Sequence, residues 1–152
     1  MARMHHMSIR TANIHRAIAF YEKLGFCVGE RFTTGITLAC WLEGLGGRIE
    51  LVQVPLPHST ADAFGDEHYT GYYHLSFDLT DEVDSLPTWL NQVKQRFSEG
   101  EDDNMAISFT VLLPPTQQII GDSVYEVAFL ADADGLPLEF IRVLGPAPPA
   151  SG

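Results

Sequence analysis

The first residues of the chain alternate between apolar and polar side chains, which predicts a β-strand over residues 4–11. Met7 and Ile9 occupy one face of this strand, while His6 and Ser8 occupy the other. Apolar residues then recur at the helical spacing i, i+3, i+4 and i+7, at Ile14, Ala17, Ile18 and Tyr21. The chain therefore changes from a strand to a helix near residue 13.

Capping and turn residues divide the rest of the first half. Asn13 is a favourable N-cap for the helix, and Gly25 supplies its C-terminal stop. Three strands are predicted to follow, over residues 26–33, 36–42 and 48–54. The first half thus has the order β-α-β-β-β.

The same pattern restarts after a polar, turn-rich connector. A strand is predicted over residues 72–79, and Ser85 can cap a second helix with an apolar stripe at Leu86, Trp89, Leu90, Val93 and Phe97. Strands follow over residues 106–113, 123–130 and 136–143, with Pro114 and Pro115 ending the first of them. We predict a first module over residues 1–56, a connector over 57–70, a second module over 71–145 and a disordered tail over 146–152.

Composition restricts the class of partner. The 152 residues fit one domain, or two small repeats that share a core, and the net charge of −11 disfavours binding to a phosphate backbone. No apolar run approaches the ~20 residues of a membrane span, and the N-terminus lacks the apolar segment of a signal peptide. We therefore expect a cytoplasmic protein that binds neither nucleic acid nor membranes. Cys27 and Cys40 are predicted to be buried free thiols.

The repeat also duplicates chemistry-bearing residues. The tetrapeptide that starts at His74 echoes the one that starts at His6, and Glu139 near the end of the second module matches Glu50 in the first. Two His and two Glu make four potential ligands for a divalent metal. Each module would leave one sheet face uncovered, and we expect the two faces to pack against each other around these four residues.

Simpler interpretations exist for each residue taken alone. A strand-end His can be solvated or can bond a backbone group, whereas a carboxylate flanked by apolar strand residues is costly unless it is paired. Glu126 is the main competitor for a ligand role. His15, His58 and His68 are interpreted as solvated, Asp132 and Asp134 as turn formers, and three aromatic residues as core: Trp41, Phe109 and Tyr125.

The chain resembles the vicinal oxygen chelate superfamily, which includes glyoxalase I, bleomycin-resistance proteins and extradiol dioxygenases. The resemblance lies in the strand that contains His6, in the stretch Ala-Ile-Ala-Phe-Tyr-Glu-Lys-Leu-Gly-Phe over residues 17–26, and in Gly-Leu-Pro-Leu-Glu-Phe over residues 135–140. It covers residues 4–143 and implies an α+β fold of paired βαβββ modules with a metal in the cleft.

Matched to that family, the metal ligands are His6, Glu50, His74 and Glu139. This set is similar to that of bacterial glyoxalase I, which implies nickel or cobalt, with zinc, iron or manganese as alternatives. The implied activity is a lyase of the lactoylglutathione lyase type, which isomerises a hemithioacetal or a related α-hydroxycarbonyl compound through an enediolate. Glu139 and Glu50 are the implied catalytic residues, because a carboxylate that loosens from the metal can carry the proton.

Two alternatives remain open. The sequence has no Lys or Arg between Arg96 and Arg142, where glyoxalase I grips the carboxylates of glutathione. The protein is therefore interpreted alternatively as a binding module of the bleomycin-resistance type, or as an extradiol-type dioxygenase. A homodimer is expected, and the modules can pair within one chain or exchange between two.

Overall fold

The structure, a computed structural model, describes residues 1–99 and 107–150. Within them, the element order is β1 (Met7–Thr11), α1 (Ile14–Lys23), β2 (Cys27–Thr34), β3 (Thr37–Gly44), β4 (Gly47–Gln53), β5 (Leu75–Asp78), α2 (Leu86–Glu99), β6 (Thr110–Ile120), β7 (Ser123–Ala131) and β8 (Pro137–Pro146). The strands form two four-stranded sheets, ordered β1-β4-β3-β2 and β5-β8-β7-β6. The predicted α+β fold of two βαβββ modules is confirmed.

Helix α1 begins and ends as its sequence predicts. The side chain of Asn13 accepts a hydrogen bond from the backbone N–H of Arg16, and Gln53 of β4 accepts one from Ile14 at 2.9 Å. The apolar stripe of the helix is buried against the sheet. Gly25 follows at a φ of +107°, a conformation that a side chain would strain.

Helix α2 buries the five predicted apolar residues. Its first N–H, from Leu86, donates to the carboxylate of Glu126 on β7 at 2.9 Å, and Ser85 accepts a weaker bond from Thr88 at 3.4 Å. A carboxylate is favourable at a helix N-terminus because it complements the helix dipole. Glu126 thus has a structural role as a cap.

Strand β6 differs from the prediction that Pro114 and Pro115 end it. It continues through both prolines to Ile120, and it starts at Thr110, while residues 100–106 lie outside the described part of the chain. β6 is an edge strand, and its pairing with β7 shifts register between Val111 and Thr116. Proline is tolerated there because an edge strand with bulges does not need every N–H for its ladder.

The expected packing of the modules is wrong for a single chain. Their helices and helix-facing sheet surfaces share one core, with ring centroids 5.3 Å apart for Phe20 and Phe97 and 5.8 Å apart for Phe26 and Phe77. The opposite sheet faces are not buried against each other. Their apolar side chains remain partly exposed, at Val52, Val54, Ile141 and Val143.

A buried polar junction fixes the two modules to each other. The Tyr21 hydroxyl of α1 donates to the Asp132 carboxylate at 2.7 Å, and Asp134 accepts from the hydroxyl of Thr11 at 2.6 Å and from the N–H of Ala12 at 3.0 Å. Burial raises the pKa of the Asp132 carboxyl above its ordinary value, although the Tyr21 hydrogen bond works against this shift. The same burial raises the pKa of the Tyr21 hydroxyl, which therefore stays a donor.

The remaining predictions concern the termini and the thiols. β8 extends to Pro146, and the N–H of Ala147 donates to the carbonyl of Asp122, so ordered pairing continues past the predicted strand end. Ser151 and Gly152, the end of the predicted disordered tail, lie outside the described residues.

Both cysteines are free, but Cys27 is exposed while Cys40 is buried. No helix among the described residues is both long and apolar enough to cross a membrane.

Candidate metal centre

The first half of the candidate site lies where β1 and β4 run side by side. Parallel pairing sets Ser8 opposite Glu50, and His6 immediately precedes β1. His6 Nε2 lies 3.5 Å from Glu50 Oε1, and the Ser8 hydroxyl donates to the same oxygen at 2.8 Å. We call His6, Ser8 and Glu50 the first half-site.

The second module repeats this arrangement. Ser76 on β5 pairs with Glu139 on β8, and His74 immediately precedes β5. His74 Nε2 lies 3.5 Å from Glu139 Oε1, and Ser76 donates to that oxygen at 2.6 Å. We call His74, Ser76 and Glu139 the second half-site. Both His residues therefore precede their strands instead of lying within them.

The donor atoms of each half-site suit a shared cation. Two ligand atoms that each lie about 2.1 Å from one divalent ion are separated by about 3.0–3.4 Å at coordination angles of roughly 90–110°. The observed separation of 3.5 Å is close to this range in both halves. The side chains are also accessible, because the exposed fractions are 27% for His6 and 24% for His74.

One chain does not bring the four candidate ligands together. Among residues 1–99 and 107–150, no group of three or more His, Cys, Asp or Glu side chains is placed to hold a metal ion. Each half-site contributes two ligands on a sheet face that its own chain leaves uncovered. A four-ligand site therefore needs the uncovered faces of two copies.

Glu50 is held by a residue that the sequence pattern assigned to the core. Trp41 lies opposite Glu50 in the β3–β4 pairing, and its indole N–H donates to Glu50 Oε2 at 2.9 Å. Partial burial alone would raise the pKa of the Glu50 carboxyl. The hydrogen bonds from Trp41 and Ser8, together with the imidazole of His6, outweigh it, so the pKa lies below its ordinary value.

His5, the sequence neighbour of His6, lines a polar cavity of about 650 Å³. Its lining includes Arg3, His5, Glu43 and Arg48. The guanidinium of Arg48 is 5.4 Å from the centre of the Trp41 ring, and the His5 ring contacts the same indole edge-on at 5.1 Å. Trp41 and His6 thus contact Glu50 directly, while His5 and Arg48 pack against the Trp41 ring.

The second half-site is bordered by aromatic rings instead. Tyr73 and Phe129 contact the His74 ring edge-on, at centroid distances of 4.4 and 4.9 Å, and Phe64 from the connector lies 5.3 Å from Phe129. His74 Nδ1 is buried without a hydrogen-bond partner among the described residues. This half-site therefore has an apolar wall where the first has polar neighbours.

The other residues considered from the sequence lie away from these pairs. His15, His58 and His68 are exposed, as predicted. Asp132 forms the predicted turn by accepting from the N–H groups of Asp134 and Leu136, in addition to its bond with Tyr21. Sequence reasoning missed Trp41 and His5. Two signals in the sequence could have indicated them. His5 is adjacent to His6, and Trp41 lies nine residues before Glu50, across a tight turn.

Comparison with known proteins identifies the family. Residues 3–140 match the Glyoxalase/Bleomycin resistance protein/Dioxygenase superfamily. The chain belongs to this superfamily. No protein with a curated function matches the chain.

Solved structures of this superfamily share the fold. A glyoxalase family protein from Enterococcus faecalis has a TM-score of 0.67 at 20% identity, over 92% of this chain and 97% of that one. One from Bacillus cereus has a TM-score of 0.64 at 17% identity, over 95% and 96%. A glyoxalase/bleomycin resistance protein/dioxygenase from Alicyclobacillus acidocaldarius has a TM-score of 0.63 at 18% identity, over 93% and 92%.

Proposed function

We propose that this superfamily member is a metal-dependent isomerase of the glyoxalase I type. Its site would be assembled from the first half-site of one copy and the second half-site of another. The observation that carries this proposal is the duplicated geometry, in which each half-site holds a His and a Glu 3.5 Å apart with a Ser bonded to the Glu. The partly exposed apolar faces around both half-sites support a homodimer.

The donor set suits a divalent transition metal. Two imidazoles and two carboxylates favour nickel, cobalt, zinc, iron or manganese, and their charges balance a divalent ion. Held by His6, Glu50, His74 and Glu139, such an ion supplies Lewis acidity for two neighbouring substrate oxygens. A carbonyl compound with a vicinal oxygen is therefore the expected substrate class.

The protein residues divide the remaining work unequally. Glu50 accepts two side-chain hydrogen bonds, from Trp41 and Ser8. Within the described part of the chain, Glu139 accepts one, from Ser76. A carboxylate with fewer restraints turns more readily toward a substrate proton. We therefore assign proton transfer to Glu139 and a fixed ligand role to Glu50.

A complementation experiment tests the site. His6→Ala and His74→Ala each remove one ligand, so each purified variant is expected to lose about one metal ion per chain. In a refolded equal mixture, half of the dimers would pair unlike chains, and each of these would contain one intact site. Metal content and turnover would then recover to about a quarter of the wild-type value.

The controls separate the possible failures. His15→Ala, at an exposed position on α1, should retain wild-type metal content. A site formed within one chain would show no recovery in the mixture. Failure to turn over methylglyoxal with glutathione after loading with nickel or cobalt would exclude lactoylglutathione lyase activity.

A binding protein of the bleomycin-resistance type is the second candidate. Residues 97–141 contain no Lys or Arg, and the net charge of −11 suits a cationic ligand better than anionic glutathione. Full metal content without turnover, combined with tight binding of a cationic small molecule, would favour this candidate. Iron at one ion per chain would instead direct the assays to aromatic diols and dioxygenase activity.

A further inference from the structure

A cluster of aromatic side chains stands beside Glu139 on the sheet face that the chain leaves uncovered. Phe129 lies opposite Glu139 in the antiparallel β7–β8 pairing, so both side chains emerge from the same face of the sheet. Phe129 is nevertheless only 6% exposed. Its ring is covered by Phe64, Tyr73 and His74, at centroid distances of 5.3, 6.1 and 4.9 Å. We call Phe64, Tyr73 and Phe129 the aromatic wall.

The aromatic wall is separate from the core that joins the two modules. Its three rings lie outside the cluster of buried side chains that forms this core within the described residues. Tyr73 is 45% exposed and Phe64 is half-buried, so both rings keep accessible surface beside the second half-site. Apolar surface of this kind, next to the candidate metal ligands, is available for burial by a group on a bound substrate.

The first half-site has a different side chain at the position equivalent to Phe129. Trp41 lies opposite Glu50 as Phe129 lies opposite Glu139, but the indole N–H of Trp41 is bonded to that carboxylate. The guanidinium of Arg48 lies 5.4 Å from the centre of the Trp41 ring, which places a charge on this side. An apolar group gains free energy by leaving water, and a charged neighbour retains water around it. The apolar part of a substrate is therefore directed to the second half-site.

We propose that the aromatic wall is a subsite for an aryl group of the substrate. With two neighbouring oxygens on the metal, the substrate directs a ring on the adjacent carbon toward Tyr73 and Phe64, where aromatic rings pack edge-to-face or with an offset. An aryl-substituted α-hydroxycarbonyl compound is then preferred to one that carries only a methyl group. The wall selects the substrate and takes no part in proton transfer. This inference rests on the proposed function, because the metal anchors the substrate beside the wall.

Hydroxamates test the subsite without turnover, because they present two neighbouring oxygens to a metal and cannot be isomerised. Benzohydroxamate, cyclohexanecarbohydroxamate and acetohydroxamate are titrated into the full-length protein loaded with cobalt(II), whose visible spectrum changes when a ligand binds. Each affinity is divided by that of the same compound for free cobalt(II), which removes its intrinsic chelating strength. We expect benzohydroxamate to bind about tenfold more tightly than acetohydroxamate and about threefold more tightly than the cyclohexyl compound.

Variants of the wall locate the preference. Tyr73→Ala and Phe64→Ala should each reduce the preference for benzohydroxamate over acetohydroxamate to about threefold or less. Tyr73→Leu keeps apolar bulk at this position and should lose the preference for the benzo over the cyclohexyl compound. Tyr72→Ala is the matched control, because it removes a neighbouring tyrosine that is 85% exposed, and it should keep the wild-type preference.

The outcomes separate the subsite from the metal site. Normal cobalt uptake with equal affinities for benzohydroxamate and acetohydroxamate would refute the aromatic subsite and leave the proposed function standing. Equal affinities for the benzo and cyclohexyl compounds would refute the aryl preference. A wild-type preference retained in both Tyr73→Ala and Phe64→Ala would show that the wall only holds the connector in place. Lack of cobalt uptake by the wild-type protein would refute the proposed function, and the subsite with it.

Discussion

The two half-sites have the same ligand geometry and different surroundings. In both, a His and a Glu lie 3.5 Å apart and a Ser donates to the Glu. In the first, Trp41 and His5 add polar contacts to Glu50 and His6, whereas aromatic side chains border the second. The repeat thus preserves the ligand pair, while the neighbouring side chains give the two halves different restraint and polarity.

The largest expected effect separates the two carboxylates. Glu139→Gln should lower kcat by about 10²–10⁴-fold, because it removes the proposed base. Glu50→Gln should instead weaken metal binding more than Glu139→Gln does, since it replaces the more restrained anionic ligand. Metal titration and turnover, measured on both variants, check this difference. Equal changes in both quantities would mean that the different surroundings of the two carboxylates have no functional consequence.

The next effect concerns the junction that joins the modules. Asp132→Ala should lower the free energy of unfolding by about 3 kcal/mol, because it leaves the Tyr21 hydroxyl and the N–H groups of Asp134 and Leu136 without their acceptor. Urea unfolding measures the change. Asp81→Ala, at an exposed position, serves as the control and should change stability by less than about 0.5 kcal/mol. A similar loss of stability in Asp81→Ala would show that the junction contributes no more to stability than an exposed position does.

A smaller effect is expected from the donor to Glu50. Trp41→Phe keeps an aromatic ring but removes the N–H, so cobalt affinity should fall about fivefold, which corresponds to about 1 kcal/mol. Phe32→Leu alters the ring packed against Trp41 without removing a donor, and it is the matched control. Unchanged affinity in Trp41→Phe would show that Ser8 and His6 alone are sufficient to orient Glu50.

The smallest effect is a pH dependence of stability. Burial raises the pKa of Asp132, so the native state loses stability relative to the unfolded chain as the pH rises from about 4 through that raised pKa. Asp132→Asn does not titrate. The stability of this variant relative to the wild-type protein should therefore increase over this range. Unfolding measured from pH 4 to 7 checks the sign, and a decrease would show that the hydrogen bonds outweigh burial.

Local patterns predicted the elements because each depends on contacts close in the sequence. The helical stripe from Ile14 to Tyr21, the cap at Asn13 and the stripe of α2 are all found in the structure. The prolines of β6 were misread because their tolerance depends on an edge position and on register shifts. Neither property can be read from residues 114 and 115 themselves.

The sequence by itself determined the two βαβββ modules and the duplication of a His and a Glu in each, because periodicity and repetition can be read from the order of the residues alone. Only the tertiary structure decided that the modules share a core through their helices, that Tyr21 and Asp132 join them, and that each chain holds two separate half-sites. It also brought Trp41 to Glu50 and Arg48 to His5. These contacts depend on strand register and on side-chain direction in space, which the order of residues along a strand does not specify.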